Sequence, residues 1–343
     1  MTHHALRLRL DSQSLQSNWR WLRRSAGVPA GAAVKADGYG LGAVEVTRLL
    51  ADAGCRDFFV STWAEAEALG KLPDGAELCV LHGVGPDDIS AAIASTARPV
   101  LNTPEQVARW KETASGRPCD VMIDTCMNRL GLRTDQLDVI DGLEIHTLHS
   151  HLACADEDSA MNAVQRNRFA AVAATVKARR YSLANSAGIC LGRDYGFDLV
   201  RPGLALYGGV PREEAAGHIA QVAFPEAEVV QRRVIRAGET CGYGATWTAS
   251  ADTQAAILNI GYADGYLRCF AGKGSASVDG KSLPLIGRVS MDLIALDVSA
   301  APELREGDWV TLDYDLPQAA AASGLSQYEL LTGLSDRLER RWI

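Results

Sequence analysis

The stretch "AAVKADGYGLGA" at residues 32–43 sets a lysine, Lys35, directly after a short apolar run and follows it with Asp37, Tyr39 and glycines at 38, 40 and 42. The run reads as the end of a buried strand, and the glycines permit turns that a residue with a Cβ resists. An amine placed there can condense with an aldehyde once burial lowers its pKa toward the neutral form. It is equally a solvated lysine in a turn, and this stretch alone favours that reading, because lysine is rarely buried without a task. Arg129 in "MNRLG", His151 in "SHL", Asn185 and Ser186 in "LANSAG" and Arg201 in "RPG" stand near the ends of other apolar runs.

What positions these residues is an alternation of short strands and helices. Between Ala32 and Gly208 the segments "AAVKA", "DFFVSTW", "LCVLHG", "ARPVLN", "DVMIDT", "IHTLHSHL", "RYSLANS" and "DLVRPGLALYG" read as eight strands. Stretches such as "GAVEVTRLLADAG" and "EQVARWKETA" between them carry apolar residues at helical spacing. Eight such repeats predict a (β/α)8 barrel, whose strand ends share one mouth where the distant residues above converge. After a linker, "PREEAAGH", the pattern changes to alternating strands and hairpin signals such as Asp279-Gly280, a mainly β domain. The early strand "ALRLRL" alternates in the same way. The expected division is therefore a barrel over 12–213 and a β domain made of 1–11 and 219–343. Near the end "SQYELLTGLSDRLERR" reads as a helix, with Ser326 as N-cap and Glu329 completing a capping box.

Composition excludes several functions. The chain of 343 residues carries 42 acidic against 34 basic residues, a net charge of -8, so nucleic acid is not an expected partner and any bound anion must be held locally. Its eight cysteines form no close C-x-x-C pair and no secretory leader precedes them, which points to the cytoplasm. No apolar stretch approaches a membrane span, so no membrane partner is expected, and no metal is expected either.

Taken together, "AAVKADGYG", "IDTCMNRLGL", "SHLACAD", "LANSAG", "RPGLALYG", "CGYGATW", "GYADGY" and "GRVSMD" resemble, in order, the motifs of the alanine racemase family. One such motif is weak, whereas eight in order over essentially the whole chain are specific. The resemblance implies a pyridoxal-phosphate enzyme with a barrel and a C-terminal β domain, working as a head-to-tail homodimer whose sites are shared between subunits. It implies interconversion of L- and D-alanine through an aldimine of pyridoxal 5′-phosphate by two bases, supplying D-alanine for peptidoglycan.

By that resemblance Lys35 holds the cofactor. Tyr39, Asn185, Ser186, the backbone near Gly203 and Leu204, and Trp342 surround it; for Ser186 a helix N-cap is the plain structural alternative. Arg201 faces the pyridine nitrogen, where a group that stays charged near neutral pH cannot accept a proton and leaves the electron sink weak. His151 is expected to hydrogen-bond Arg201; by itself it reads as a core histidine. Lys35 and Tyr243 of the partner are the two bases on opposite faces of the α-carbon. An unperturbed tyrosine has a pKa of about 10, so poising it near 7 needs roughly 4 kcal/mol from neighbouring charge or hydrogen bonds. Arg129 and the backbone of Met291 take the substrate carboxylate, and Asp156, Tyr262, Arg268 and Arg288 line the entry.

Two positions depart from the family pattern. Met122 stands where the family often has a carbamylated lysine that buttresses the motif arginine, so Arg129 needs another support. Trp342 stands where a tyrosine touches the phosphate; its plain reading is surface packing. A racemase of another small amino acid such as serine is the alternative. A decarboxylase of the same plan pairs its pyridine nitrogen with a carboxylate, which Arg201 opposes.

Overall fold

The computed structural model describes residues 4–343, so residues 1–3 of the expected 1–11 segment lie outside the described part. Strand β1 (Leu6–Leu10) comes first, followed by the helix Ser12–Ala26. By packing the chain forms two units, one of Leu15–Ala220 and one of Gln221–Ile343 with the residues up to Ser14.

In the first unit, apolar runs bounded by turns form parallel strands: β2 (Ala32–Ala33), β3 (Asp57–Val60), β4 (Glu77–Val80), β5 (Arg98–Leu101), β6 (Cys119–Met122), β7 (Ile145–His149) and β8 (Arg180–Ser182). They pair in chain order, and β3, β6 and β7 are buried along their whole length, as strands covered on both faces must be. The eighth segment, 198–202, is not a regular strand but closes the ring through its backbone. Asp198 N and Arg201 N donate to the carbonyls of Tyr181 and Ala184 on one side. On the other side Gly31 N and Ala33 N donate to Val200 and Pro202. Pro202 has no N–H, which breaks the ladder there.

The barrel interior is layered. Phe59, Cys79, Val100, Met122 and Leu199 form an apolar cluster, so Met122 packs in the core rather than toward Arg129. Beside it lies a polar network centred on Asp120, which accepts from Arg98 Nε (3.1 Å), Thr147 N (3.0 Å), His149 Nε2 (3.1 Å) and Cys79 Sγ (3.0 Å). Burial opposes ionisation of Asp120, but the hydrogen bond and charge of His149 and the charge of Arg98 outweigh it and hold the carboxyl well below the usual range. Burial in turn pushes His149 down to about 4.

The second unit is built on one long strand, β9 (Ala223–Ile235). After it come the short ribbon β10 (Thr240–Cys241) and β11 (Trp247–Thr248), then β12 (Thr253–Leu258), β13 (Ser275–Val278), β14 (Lys281–Ile286), β15 (Ile294–Asp297), β16 (Trp309–Leu312) and β17 (Glu339–Trp342). The first half of β9 pairs with β1 and β16 and its second half with β12, so the order β9-β12-β15-β14-β13-β16 closes on itself as an antiparallel barrel. The β13–β14 hairpin turns through Asp279 and Gly280 with φ of 48° and 76°, the left-handed pair that Asp-Gly favours.

The expected C-terminal helix is shorter than its sequence suggested. Ser326 and Glu329 do form the capping box, but the helix is confined to Gln327–Thr332. Residues 339–342 instead run as β17, parallel to β1, because the free edge of β1 offers hydrogen bonds that outweigh the helical propensity of "DRLERR".

Candidate active site

The barrel mouth is organised around an unusual turn. Directly after β2, Ala36, Asp37, Gly38 and Tyr39 all take positive φ (52°, 50°, 63° and 56°), a single left-handed turn. For non-glycine residues this conformation costs about 1–2 kcal/mol each, so the surroundings must over-determine it. They do. The Ala36 N–H is held by Glu65 Oε1 at 2.8 Å, and the Asp37 carboxylate takes the Ala43 N–H at 2.8 Å at the start of the helix Ala43–Asp52. Glu65 is itself fixed by the capping box of the helix Trp63–Leu69. Strain of this kind, locked by named partners, is a mark of a functional segment.

Lys35 heads this turn, half-buried, with no carboxylate ion pair among the described residues. Burial lowers its pKa first, Arg129 lowers it further, and Glu65 partly opposes them. The side chain is thereby drawn toward the neutral amine.

At the end of the turn, the buried Tyr39 ring stacks on Tyr207 at 4.7 Å, and Tyr207 Oη donates to Ala33 O at 2.7 Å. A Cβ at Gly203 would collide with the Tyr39 hydroxyl, so only glycine fits there. Ser186 Oγ, buried, accepts from Gly203 N at 2.9 Å and Ala205 N at 3.2 Å. Hydroxyls and backbone N–H groups thus converge on one spot, a cradle suited to a phosphate. Leu204, the residue after Gly203, is buried in the same segment, and the Ala205 N–H is taken by Ser186 Oγ. The helix cap is Asn185, whose side chain accepts from Gly188 N at 2.8 Å; Ser186 is the first residue of the helix Ser186–Cys190 and is not its cap.

Arg201 is 7% exposed and held by the barrel wall through its two terminal nitrogens. Its Nη1 donates to Ser182 Oγ and its Nη2 to Ser150 O at 2.6 Å and Leu183 O at 3.4 Å. No hydrogen bond joins it to His151 among the described residues, which corrects the expected pair: the register of β7 and β8 sets Ser150 and Ser182 within reach of the guanidinium instead. Burial lowers the Arg201 pKa to about 10, still charged at neutral pH. His151 is pushed down to about 3 by burial and by the charges of Arg201, Arg129 and Lys35, so it is neutral.

Arg129 is exposed on a loop that Asp124 organises. One Asp124 oxygen accepts from the N–H groups of Cys126 and Met127 at 2.9 Å and Asn128 at 3.1 Å, the support that Met122 does not give. Asp156 is exposed on the loop after β7. Glu65, Ser150, Ser182 and Tyr207 are participants that the sequence reading missed. Nothing in their local pattern marks them, since each acts through register with a distant strand.

In the second unit another group of expected residues gathers by itself. Tyr243, 70% exposed, sits between Gly242 and Gly244 in the turn that joins β10 and β11. Arg288 lies against Gly244, where a Cβ would stand 3.2 Å from its Nη1. Arg268 stacks over the Tyr262 ring at 4.9 Å. Tyr262 N donates to Ser290 O and Ala263 N to Met291 O, both at 3.0 Å, which ties the loop of Tyr262 to that of Met291, itself 54% exposed. Trp342 is half-buried in β17 beside Leu10.

Comparison with known proteins aligns with this geometry. Residues 10–211 match the family model described as alanine racemase, N-terminal domain, and residues 222–342 the model described as alanine racemase, C-terminal domain. The chain is 41% identical to an alanine racemase of Acidiphilium cryptum, over 97% of each sequence. It is also 41% identical to a catabolic alanine racemase of Agrobacterium fabrum, over 98% of the chain and 92% of that protein. Among solved structures, that of alanine racemase from Bartonella henselae with covalently bound pyridoxal phosphate superposes with a TM-score of 0.90 at 32% identity, covering 99% of this chain and all (100%) of that one.

Proposed function

The chain belongs to the alanine racemase family, and we propose that it interconverts L- and D-alanine using pyridoxal 5′-phosphate held covalently by Lys35. The observation that carries this reading is the left-handed turn, which sets a lysine of lowered pKa and a buried tyrosine on one short, locked segment next to the Ser186–Gly203 cradle. The cofactor fits what is there: an amine for its aldehyde, hydroxyls of Tyr39 and Ser186 with the backbone N–H groups of Gly203 and Leu204 for its phosphate, and Arg201 for its ring nitrogen. Asn185 shapes this wall.

When bound, pyridoxal phosphate withdraws electrons from an attached amino acid and so acidifies its α-C–H. Lys35 Nζ, released by substrate, takes or returns the proton on one face of the α-carbon. Tyr243 Oη of a second copy does the same on the other face, so each site is completed by its partner. Arg201 keeps its charge at neutral pH and offers no acceptor for a ring proton. Arg129 and the backbone of Met291 of the second copy hold the substrate carboxylate. Asp156, with Tyr262, Arg268 and Arg288 of the second copy, lines the approach. Neutral His151 adds no charge beside the ring.

The enzyme works as a homodimer in the cytoplasm and supplies D-alanine for peptidoglycan. Among the described residues no helix is long and apolar enough to cross a membrane. The test is to incubate purified protein and pyridoxal phosphate with single L- and D-amino acids in deuterated water and follow chirality and deuterium at the α-carbon. Deuterated alanine of both hands is expected, with serine turned over far more slowly. Carbon dioxide release, or no exchange at all, contradicts the reading.

A further inference from the structure

A cavity lies at the end of the barrel opposite its mouth. It has a volume of about 480 Å³ and is lined by Arg20, Arg23, Arg24, Gly27, Val28 and Ala53, with the Trp19 ring at its wall. Gly27 and Val28 lead into the N-terminal end of β2, whereas Lys35 follows its C-terminal end, so the cavity stands away from the mouth.

Its lining is strongly cationic. Arg20, Arg23 and Arg24 come from the helix Ser12–Ala26, and a fourth guanidinium from far along the chain flanks the cavity, since Arg193 lies against the lining residue Gly27. A Cβ at Gly27 would stand 3.2 Å from Arg193 Nε, and the φ of +72° there also favours glycine. None of the four is ion-paired with a carboxylate among the described residues. Arg20 bonds the Gln16 amide oxygen at 3.0 Å and Arg23 sits over the Trp19 ring at 5.6 Å. By contrast Arg48, Arg98, Arg180, Arg212 and Arg337 each hold a carboxylate.

The helix C-terminus accounts for cations in its last turn, Arg23 and Arg24. It does not account for Arg20, a turn earlier, or for Arg193, which is remote in sequence. Four like charges close together, none of them ion-paired with a carboxylate among the described residues, repel one another, and in a chain with a net charge of -8 such a gathering stands out. A ligand with fixed negative charge relieves that repulsion. Guanidinium groups recognise phosphate oxygens by paired hydrogen bonds, and the cavity has the size of a small-molecule site.

We propose that this cavity binds a soluble small molecule bearing two or more phosphate groups. Among the described residues no exposed large apolar side chain lines the cavity, which argues against a lipid surface as the source of the phosphates. Binding stabilises the barrel unit by mass action.

The test titrates the cofactor-loaded enzyme with inorganic pyrophosphate at fixed ionic strength, by calorimetry and by thermal unfolding. One saturable site per chain and a raised Tm are expected. Arg23→Gln combined with Arg24→Gln, and separately Arg193→Gln, should each weaken binding by about tenfold or more, the scale of losing a charge-assisted hydrogen bond. Racemase turnover should be the same in all three proteins. A response that matched sodium chloride reproduces, or equal affinity in wild type and both variants, overturns the proposal.

Discussion

The barrel mouth and the exposed loops of the β unit carry comparable numbers of chemically able residues but in opposite states. At the mouth, Ser186 and Tyr39 are buried, Arg201 has its donors on Ser182 and Ser150, and the pKa values of Lys35, His151 and Arg201 are moved by burial. In the β unit, Tyr243 and Met291 are mostly exposed and Arg288 lies on the surface. A perturbed, desolvated cluster is finished machinery, whereas Tyr243 stands open to solvent on its glycine-flanked turn. The difference fits the proposed division of labour, in which the barrel carries a preformed half-site and the β unit supplies the complementary half to a second copy.

The sharpest break of that contrast is Lys35→Ala. Removing a half-buried side chain at a barrel mouth leaves the fold intact, but racemisation should fall by about 10⁴-fold or more, as expected for loss of both the covalent anchor and one base. Purified variant is checked by circular dichroism and by alanine turnover; near-native turnover would return Lys35 to an ordinary turn residue.

The preformed half should also be acid-sensitive. His149 is buried neutral, with its pKa moved from 6.5 to about 4. Between these values the unfolded chain binds more protons than the folded one, so stability present above pH 6.5 is lost as pH falls toward 4. Tm should decline by several degrees over that window, and His149→Asn should lower Tm at neutral pH while flattening the decline. An unchanged slope in the variant would remove His149 from the account.

How much of this was legible in the sequence depends on whether a feature is local. The strands of the barrel follow from apolar runs between turn signals, the Asp279-Gly280 hairpin from its own dipeptide, and the Ser326–Glu329 capping box from its spacing. The placement of Lys35 after a strand was readable in the same way. The left-handed turn was only half readable. Gly38 permits it, but Ala36, Asp37 and Tyr39 are held there by Glu65 and Ala43, which no local pattern announces. The partners of Arg201 were misread because they depend on which residues of β7 and β8 lie side by side. β17 was taken for helix because its partner, β1, is more than three hundred residues away in the chain.

A smaller effect sharpens the phosphate cradle. Ser186→Ala removes the acceptor that gathers the N–H groups of Gly203 and Ala205, and should weaken cofactor retention by about 1.5–3 kcal/mol, the range for hydrogen bonds to a charged group. Trp342→Phe should cost less, since an indole supplies one donor, and Trp342→Tyr should retain most of the affinity. Cofactor titration of the refolded apo forms reads both positions. Identical affinity for Trp, Tyr and Phe at position 342 would leave that residue a packing element of β17.

The claim that the two half-sites meet between copies of the chain is tested most directly by mixing inactive variants. Lys35→Ala and Tyr243→Phe are each nearly inactive alone. After subunit exchange at equal amounts, half of the dimers are mixed and carry one site with both native residues, so activity should return to roughly a quarter of wild type. Mixtures that stay as inactive as their parents, with exchange verified by a tag on one chain, would contradict a shared site.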